Sequence, residues 1–183
     1  RPYTIFIDAI SKVFAATGVR VGWSLGPTNI LSKMKAILTH IGAWAPMAEQ
    51  KAVASYLGHR DAIRKYLANF KAEIEERLQS IYDGLISLKN EGLSIDAIAP
   101  EAAIYLTIKI DLAGKKTVNG KLLKDQEEVT DYILSEAKLA VVPFYAFGAD
   151  RSSPWYRLSV GTCKKEEIPE MLGKLREALK KSG

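Results

Sequence analysis

Two cationic side chains, Lys12 and Arg20, lie eight residues apart near the start of the sequence. A lysine amine that loses its proton, because burial or a neighbouring positive charge lowers its pKa, is a nucleophile towards aldehydes. An arginine keeps its charge, and its planar guanidinium matches a phosphate or carboxylate with paired hydrogen bonds. The pair therefore suits a small molecule that carries both an aldehyde and a phosphate.

Pyridoxal phosphate carries both groups, and its enzymes hold it through a lysine Schiff base. The motif around the two cations resembles the lysine segment of the class I and II (fold-type I) aminotransferases, aspartate aminotransferases among them: Ser11-Lys12, Thr17-Gly18, Arg20 and Gly22. The resemblance implies that Lys12 is the catalytic residue that carries the cofactor and that Arg20 binds its phosphate. Ser11 is a further candidate phosphate contact, although its hydroxyl could equally bond the backbone.

A second motif near the other end of the chain resembles the small-domain segment of the same family: Val142-Pro143, Phe147-Gly148 and Tyr156-Arg157-Leu158-Ser159. The resemblance implies that Arg157 binds the α-carboxylate of the substrate. The residues alone leave two alternatives. Arg157 could be a strand arginine that pairs with a surface carboxylate, and Arg151 is a nearby competitor for the same role.

The resemblance extends over nearly the whole chain, but it corresponds only to the C-terminal half of the family's usual chain. It implies a pyridoxal-phosphate-dependent transfer of an amino group from an amino acid to a 2-oxo acid, by an enzyme that is a homodimer when full-length. The isolated chain is expected to be poorly active alone. A β-lyase or synthase of the same architecture, or the aminotransferase-like domain of a cofactor-sensing transcription regulator, remains an alternative. Two positions depart from the pattern: Val19 stands where tryptophan is frequent, and Phe144 where glycine often follows the proline.

Composition narrows the class of protein. A chain of 183 residues with 48% apolar content fits one globular domain, or one domain and a piece of another. The formal net charge of +5 comes from lysines that are spread along the chain rather than gathered with aromatics, so no nucleic-acid partner is expected. Cys163 is the only cysteine, which favours a reducing, cytoplasmic setting. No membrane partner is predicted, since no apolar run approaches roughly 20 residues. No metal site is predicted either.

The elements that must position the two motifs form an α/β pattern. Residues 3–10 contain a short apolar run typical of a strand buried on both faces in a parallel sheet, and 19–25 predict a second buried strand, so two strands flank Lys12. A helix is predicted to about residue 40, and a long amphipathic helical stretch over 48–89 with an interruption near 58–60.

The second half of the chain predicts a one-sided sheet with helices. The run over 103–110 alternates apolar and polar residues, Asp125 begins a helix to about residue 137, and a last helix begins near Glu166. Strands are also expected over 95–98, 139–142 and 156–160. We therefore predict residues 1–60 as a remnant of the large cofactor-binding domain. Residues 61–183 are predicted as an α+β small domain, which includes the interdomain helix and has an antiparallel sheet covered by helices.

Overall fold

Residues 2–182 are described by a computed structural model, in which the chain divides into two compact units, Arg1–Lys71 and Ala72–Gly183. One long helix, α4 (Arg60–Asn90), begins in the first unit and ends in the second. The predicted domain boundary, between residues 60 and 61, lies at the start of this helix, and the division into units falls inside it. Each unit has its own sheet.

The first unit is built on a two-stranded sheet, in which β1 (Phe6–Ala9) pairs antiparallel with β2 (Gly22–Leu25). The predicted pair of strands around Lys12 is confirmed, but the prediction of strands buried in a parallel sheet is wrong. The chain between the strands returns to the end where β1 finishes, which makes the pair antiparallel. The side chains of Phe6 and Ile7 remain 51% and 71% exposed, because this sheet has two strands only.

Three helices follow β2 along the chain. Helix α2 (Thr28–Ile41) ends at Gly42, which adopts a left-handed conformation (φ 68°) that glycine reaches at little cost. Helix α3 (Met47–Leu57) begins after Pro46, and α4 follows after a two-residue break, so the interruption predicted near 58–60 is confirmed. Within residues 2–182, no helix is both long and apolar enough to cross a membrane.

The second unit contains an antiparallel sheet of four strands. Its strands are β3 (Ile95–Ala97), β4 (Tyr105–Ile110), β5 (Val142–Pro143) and β6 (Trp155–Ser159), in the spatial order β3-β4-β6-β5. The predicted alternation on β4 is confirmed, since every second side chain is buried. Strand β5 is shorter than the predicted 139–142 run and lies at its end. Strand β5 lies at the edge of the sheet, where a proline such as Pro143 is tolerated.

Helices α5 (Gln126–Ala137) and α6 (Ile168–Lys180) complete the second unit. The Asp125 carboxylate accepts hydrogen bonds from the backbone N–H groups of Glu127 and Glu128, which confirms the predicted start of α5. The core of the unit comes from one face of each helix and of the two central strands: Leu78, Ile81, Leu85 and Leu88; Leu106, Ile108 and Ile110; Val129 and Ile133; Tyr156 and Leu158; Ile168, Leu175 and Leu179. The predicted helix-covered antiparallel sheet is present.

Candidate cofactor and substrate-carboxylate site

Lys12 and Arg20 lie near the two ends of one connection, residues 10–21, which joins β1 to β2. Lys12 is on a single helical turn, α1 (Ile10–Val13), that starts where β1 ends. The connection closes where the N–H of Ile10 donates to the carbonyl of Val21 at 3.2 Å. Because this bond joins the residues next to the strands, the closure carries Lys12 and Arg20 to the same end of the sheet.

A small apolar cluster supports this connection from within the first unit. Ile10, Val21 and Val53 are buried, and Phe14 packs against them. The Phe14 ring meets Tyr56 edge to face at 5.5 Å and lies parallel to Tyr66 at 6.1 Å. The Tyr66 hydroxyl donates to the Phe14 carbonyl at 3.0 Å. The backbone immediately after Lys12 is therefore fixed by α3 and by the first turns of α4.

Arg20 has a backbone conformation unusual for a residue with a side chain, with φ 59° and ψ 38°. Its Nη1 donates to the Thr17 carbonyl at 3.0 Å, which holds the guanidinium against the turn Thr17–Val19. The remaining N–H groups of the guanidinium can serve a phosphate. This left-handed residue also ends the turn, which is why the strand predicted from residue 19 begins only at Gly22.

The Lys12 side chain is exposed, and within the described part of the first unit it forms no ion pair. The Ser11 hydroxyl likewise makes no hydrogen bond to the described residues of that unit, so neither group is already committed to a neighbour. A molecule with an aldehyde and a phosphate requires a free amine for the aldehyde and hydrogen-bond donors for the phosphate. Lys12 supplies the amine, and the Ser11 hydroxyl and the anchored Arg20 guanidinium supply the donors. The residues present therefore fit pyridoxal phosphate.

The two glycines of the first motif have different surroundings. A Cβ on Gly22 would lie 3.1 Å from the Asp8 carbonyl oxygen and 3.2 Å from the Ala9 Cβ, so the close pairing of β1 and β2 requires a glycine there. A Cβ on Gly18 would meet nothing within 4 Å. Gly22 is explained by the sheet, and nothing in the described chain explains Gly18.

Arg157 lies in the second unit, on β6, directly opposite Thr107 of β4 and Val142 of β5. Side chains two residues apart on a strand share a face, so Tyr105 lies diagonally across from Arg157. The Arg157 Cζ is 4.5 Å from the centre of the Tyr105 ring and 4.5 Å from the centre of the Phe147 ring. The guanidinium therefore contacts an aromatic ring from each of two elements.

The turn Phe144–Phe147, which follows β5, brings Phe147 to Arg157. Gly148 ends this turn with φ 91°, and its N–H donates to the Tyr145 carbonyl at 3.1 Å. Only glycine adopts this conformation without strain, which gives the Phe147-Gly148 pair of the motif a structural reason. Phe144, the departure from the family pattern, is the first residue of the turn and meets the edge of Phe147 at 6.4 Å.

Within the described part of the second unit, no carboxylate lies within ion-pair distance of Arg157. The alternative of a strand arginine paired with a surface carboxylate therefore has no partner in this unit. Arg151, the competitor, lies 5.8 Å from the centre of the Tyr145 ring and is exposed. Arg157 is half-buried and in contact with two rings, so it is the better fixed of the two arginines.

The sequence did not identify the rings that hold Arg157. Tyr105 could have been placed by its alternation with the buried residues of β4, but the register that sets it diagonal to Arg157 has no signal in the sequence. Cys163 is not a functional candidate, because burial, and then Glu167, raises the pKa of its thiol. A thiol that holds its proton is a poor nucleophile.

Known proteins resemble this chain over nearly its whole length. The profile of the family "Aminotransferase class I and II" matches residues 1–175. A probable aspartate/prephenate aminotransferase of Rickettsia typhi is 28% identical over 174 residues, which are 94% of this chain and 41% of that protein. An aspartate aminotransferase of Rhizobium meliloti is 30% identical over 177 residues, 96% of this chain and 40% of that protein.

A solved structure shows the same fold. The crystal structure of the aspartate aminotransferase from Rhizobium meliloti superposes with a TM-score of 0.81 at 27% identity, and the match covers 100% of this chain and 43% of that one. The chain thus spans about two fifths of the length of the curated relatives that it matches. Because the family profile covers almost all of its residues, the chain belongs to the class I and II aminotransferase family.

Proposed function

We propose that this chain forms part of a pyridoxal-phosphate-dependent aminotransferase that moves an amino group between an amino acid and a 2-oxo acid. The observation that carries the proposal is the closed connection 10–21, which brings Lys12 and Arg20 to one end of the sheet. Aminotransfer is favoured over the lyase and regulator alternatives because the named relatives are aminotransferases. The proposal includes a homodimeric, cytoplasmic enzyme of amino acid biosynthesis, with residues 1–60 and 61–183 belonging to its large and small domains.

In this proposal each site residue has one task. When bound, pyridoxal phosphate supplies a ring that stores the electrons left at the substrate's Cα. Lys12 would hold the cofactor through Nζ until the amino group of the substrate displaces it, and the Nζ amine so freed would accept the Cα proton and return it, as general base and acid. Arg20, fixed by Thr17, neutralises the phosphate, and Ser11 is an additional donor beside it. Arg157 orients the substrate through its carboxylate.

The cofactor assignment can be tested by reductive labelling. The chain is mixed with pyridoxal phosphate, the absorption spectrum is recorded, the product is reduced with borohydride, and labelled peptides are mapped by mass spectrometry. We expect a band fixed by reduction and a label on the Lys12 peptide that exceeds the label on Lys35, an exposed lysine of α2. The Lys12→Ala variant should lose the excess, whereas Lys35→Ala should keep it.

The role of Arg20 is tested with pyridoxal, which lacks the phosphate. A charged hydrogen bond to phosphate contributes about 1.5–3 kcal/mol, so pyridoxal should label Lys12 about 10- to 150-fold less efficiently than pyridoxal phosphate. The Arg20→Gln variant should lose this preference, while Arg64→Gln, which removes an exposed arginine of α4, should retain it. Equal labelling of Lys12 and Lys35 in the wild-type chain would contradict the cofactor assignment.

A further inference from the structure

The Arg157 guanidinium is in contact with two aromatic rings but is not paired with a carboxylate among the described residues of its own unit. Its Cζ lies 4.5 Å from both ring centres, those of Tyr105 and Phe147. The two rings come from separate elements, β4 and the turn after β5. Phe147 is 55% exposed, so it contributes little to the core of the unit, although it is a large apolar side chain.

Ring contacts and carboxylate binding use different parts of a guanidinium. A cation is attracted to the face of an aromatic ring, and a contact within about 6 Å stabilises the arrangement by roughly 0.5–1 kcal/mol at exposed sites. A carboxylate instead takes two parallel N–H groups at the edge of the guanidinium, in its plane. A contact between the guanidinium and a ring face therefore does not require the N–H groups at the guanidinium edge, and it restricts the rotation that the long side chain would otherwise lose on binding.

We propose that Tyr105 and Phe147 are positioning residues that hold the Arg157 guanidinium ready for the carboxylate of an amino acid or 2-oxo acid. This inference rests on the proposed function, in which Arg157 is the carboxylate-binding residue. It adds that the two rings, and not an acidic partner, set the orientation of the guanidinium. In this proposal the exposed Phe147 serves the contact with Arg157 rather than the core of the unit.

The test follows the Nε–H resonance of Arg157 by NMR, identified by its loss in Arg157→Lys, while the chain is titrated with pyruvate. Methyl pyruvate, the uncharged ester, is the ligand control. Phe147→Leu keeps an apolar side chain but removes the ring, and we expect the Kd for pyruvate to rise about two- to fivefold, as the loss of one ring contact predicts. The ring-current displacement of the Arg157 resonance in the free chain should shrink in the same variant.

Three further variants separate positioning from folding. Phe147→Tyr restores a ring and should recover both the resonance position and the Kd. Tyr105→Leu should weaken pyruvate binding as Phe147→Leu does. Tyr145→Leu removes the ring next to Arg151 and should leave pyruvate binding unchanged. The thermal midpoint is recorded for each variant, and we expect Phe147→Leu to match the wild-type chain because Phe147 is exposed.

The outcomes distinguish this inference from the proposed function. If pyruvate moves the Arg157 resonance with the same Kd in the wild-type chain and in Phe147→Leu, the positioning role is wrong and the carboxylate role of Arg157 stands. If pyruvate never moves the resonance, while Lys12 is labelled as expected, the inference is overturned and the cofactor assignment survives. If Lys12 labelling also fails, both proposals are wrong.

Discussion

The Tyr156 hydroxyl makes a hydrogen bond inside the core of the second unit. Tyr156 is fully buried, and its hydroxyl donates to the Gln126 Oε1 at 2.6 Å. Gln126 is itself 3% exposed, and its Nε2 donates to the Ser152 carbonyl at 3.3 Å. In Tyr156→Phe the Oε1 loses its donor inside the core, so the free energy of unfolding should fall by about 1–3 kcal/mol at neutral pH.

The same residue predicts how stability depends on alkaline pH. Burial raises the pKa of the Tyr156 phenol to about 12, from about 10 for an exposed tyrosine. The folded state thus holds the proton more tightly than the unfolded state, so the contribution is complete below about pH 10 and is lost as the pH rises towards about 12. A difference of about two in pKa corresponds to about 3 kcal/mol in full, of which about half is lost by pH 11.

The assay is urea unfolding followed by circular dichroism, for the wild-type chain and Tyr156→Phe at about pH 8 and pH 11. Other groups titrate in both proteins and cancel in the difference. We expect the stability advantage of the wild-type chain to shrink by about 1 kcal/mol between the two pH values. Tyr3→Phe, at a tyrosine that is 98% exposed, should show no difference at either pH. An advantage that is the same at both pH values would refute the reasoning.

Three further variants test the local structure. Gly22→Ala should destabilise the first unit by about 1–3 kcal/mol in thermal unfolding, because the added Cβ would press on Asp8 and Ala9. Gly18→Ala should have no such effect, and equal destabilisation by the two variants would contradict the packing argument. Asp125→Ala removes the helix cap of α5 and should lower the free energy of unfolding by about 1 kcal/mol. Asp131→Ala, at an exposed position of the same helix, is the control, and an equal loss in both variants would refute the role of Asp125 as a cap. Leu85→Ala, in the core, should lower the free energy of unfolding in urea by about 2–5 kcal/mol, which is clearly more than the loss in Ile86→Ala beside it. A loss in Leu85→Ala smaller than that in Ile86→Ala would place Leu85 outside the core.

Much of the second unit followed from patterns that are local in sequence. The apolar residues of α4 recur at three- and four-residue steps, and β4 alternates, so the buried face of each could be assigned without knowing its partners. The start of α5 followed from the Asp125 cap, whose donors lie two and three residues ahead. In each of these cases, the determining interaction lies within a few residues of the signal.

The first unit was predicted less well because its strands depend on pairing. The apolar run Ile5-Phe6-Ile7 predicts a strand that is buried on both faces, but the strand pairs only with β2 and leaves these side chains exposed. An apolar run indicates a strand without indicating how many neighbours that strand has. The left-handed conformation of Arg20, which shortens β2, likewise depends on the closure between Ile10 and Val21 and has no composition signal.

The same distinction separates the two halves of the candidate site. Arg157 is on an inner strand with partners on both sides, and its neighbours Tyr156 and Leu158 are buried, so its position is set by a complete sheet. Lys12 is on a single helical turn above a cluster of three buried residues, and Tyr66 supplies one of the few contacts from a longer helix. Local stability follows buried apolar contact and backbone pairing. Arg157 is therefore held by the fold of its own unit, whereas the geometry around Lys12 depends on the bond between Ile10 and Val21 and on the ring contacts of Phe14.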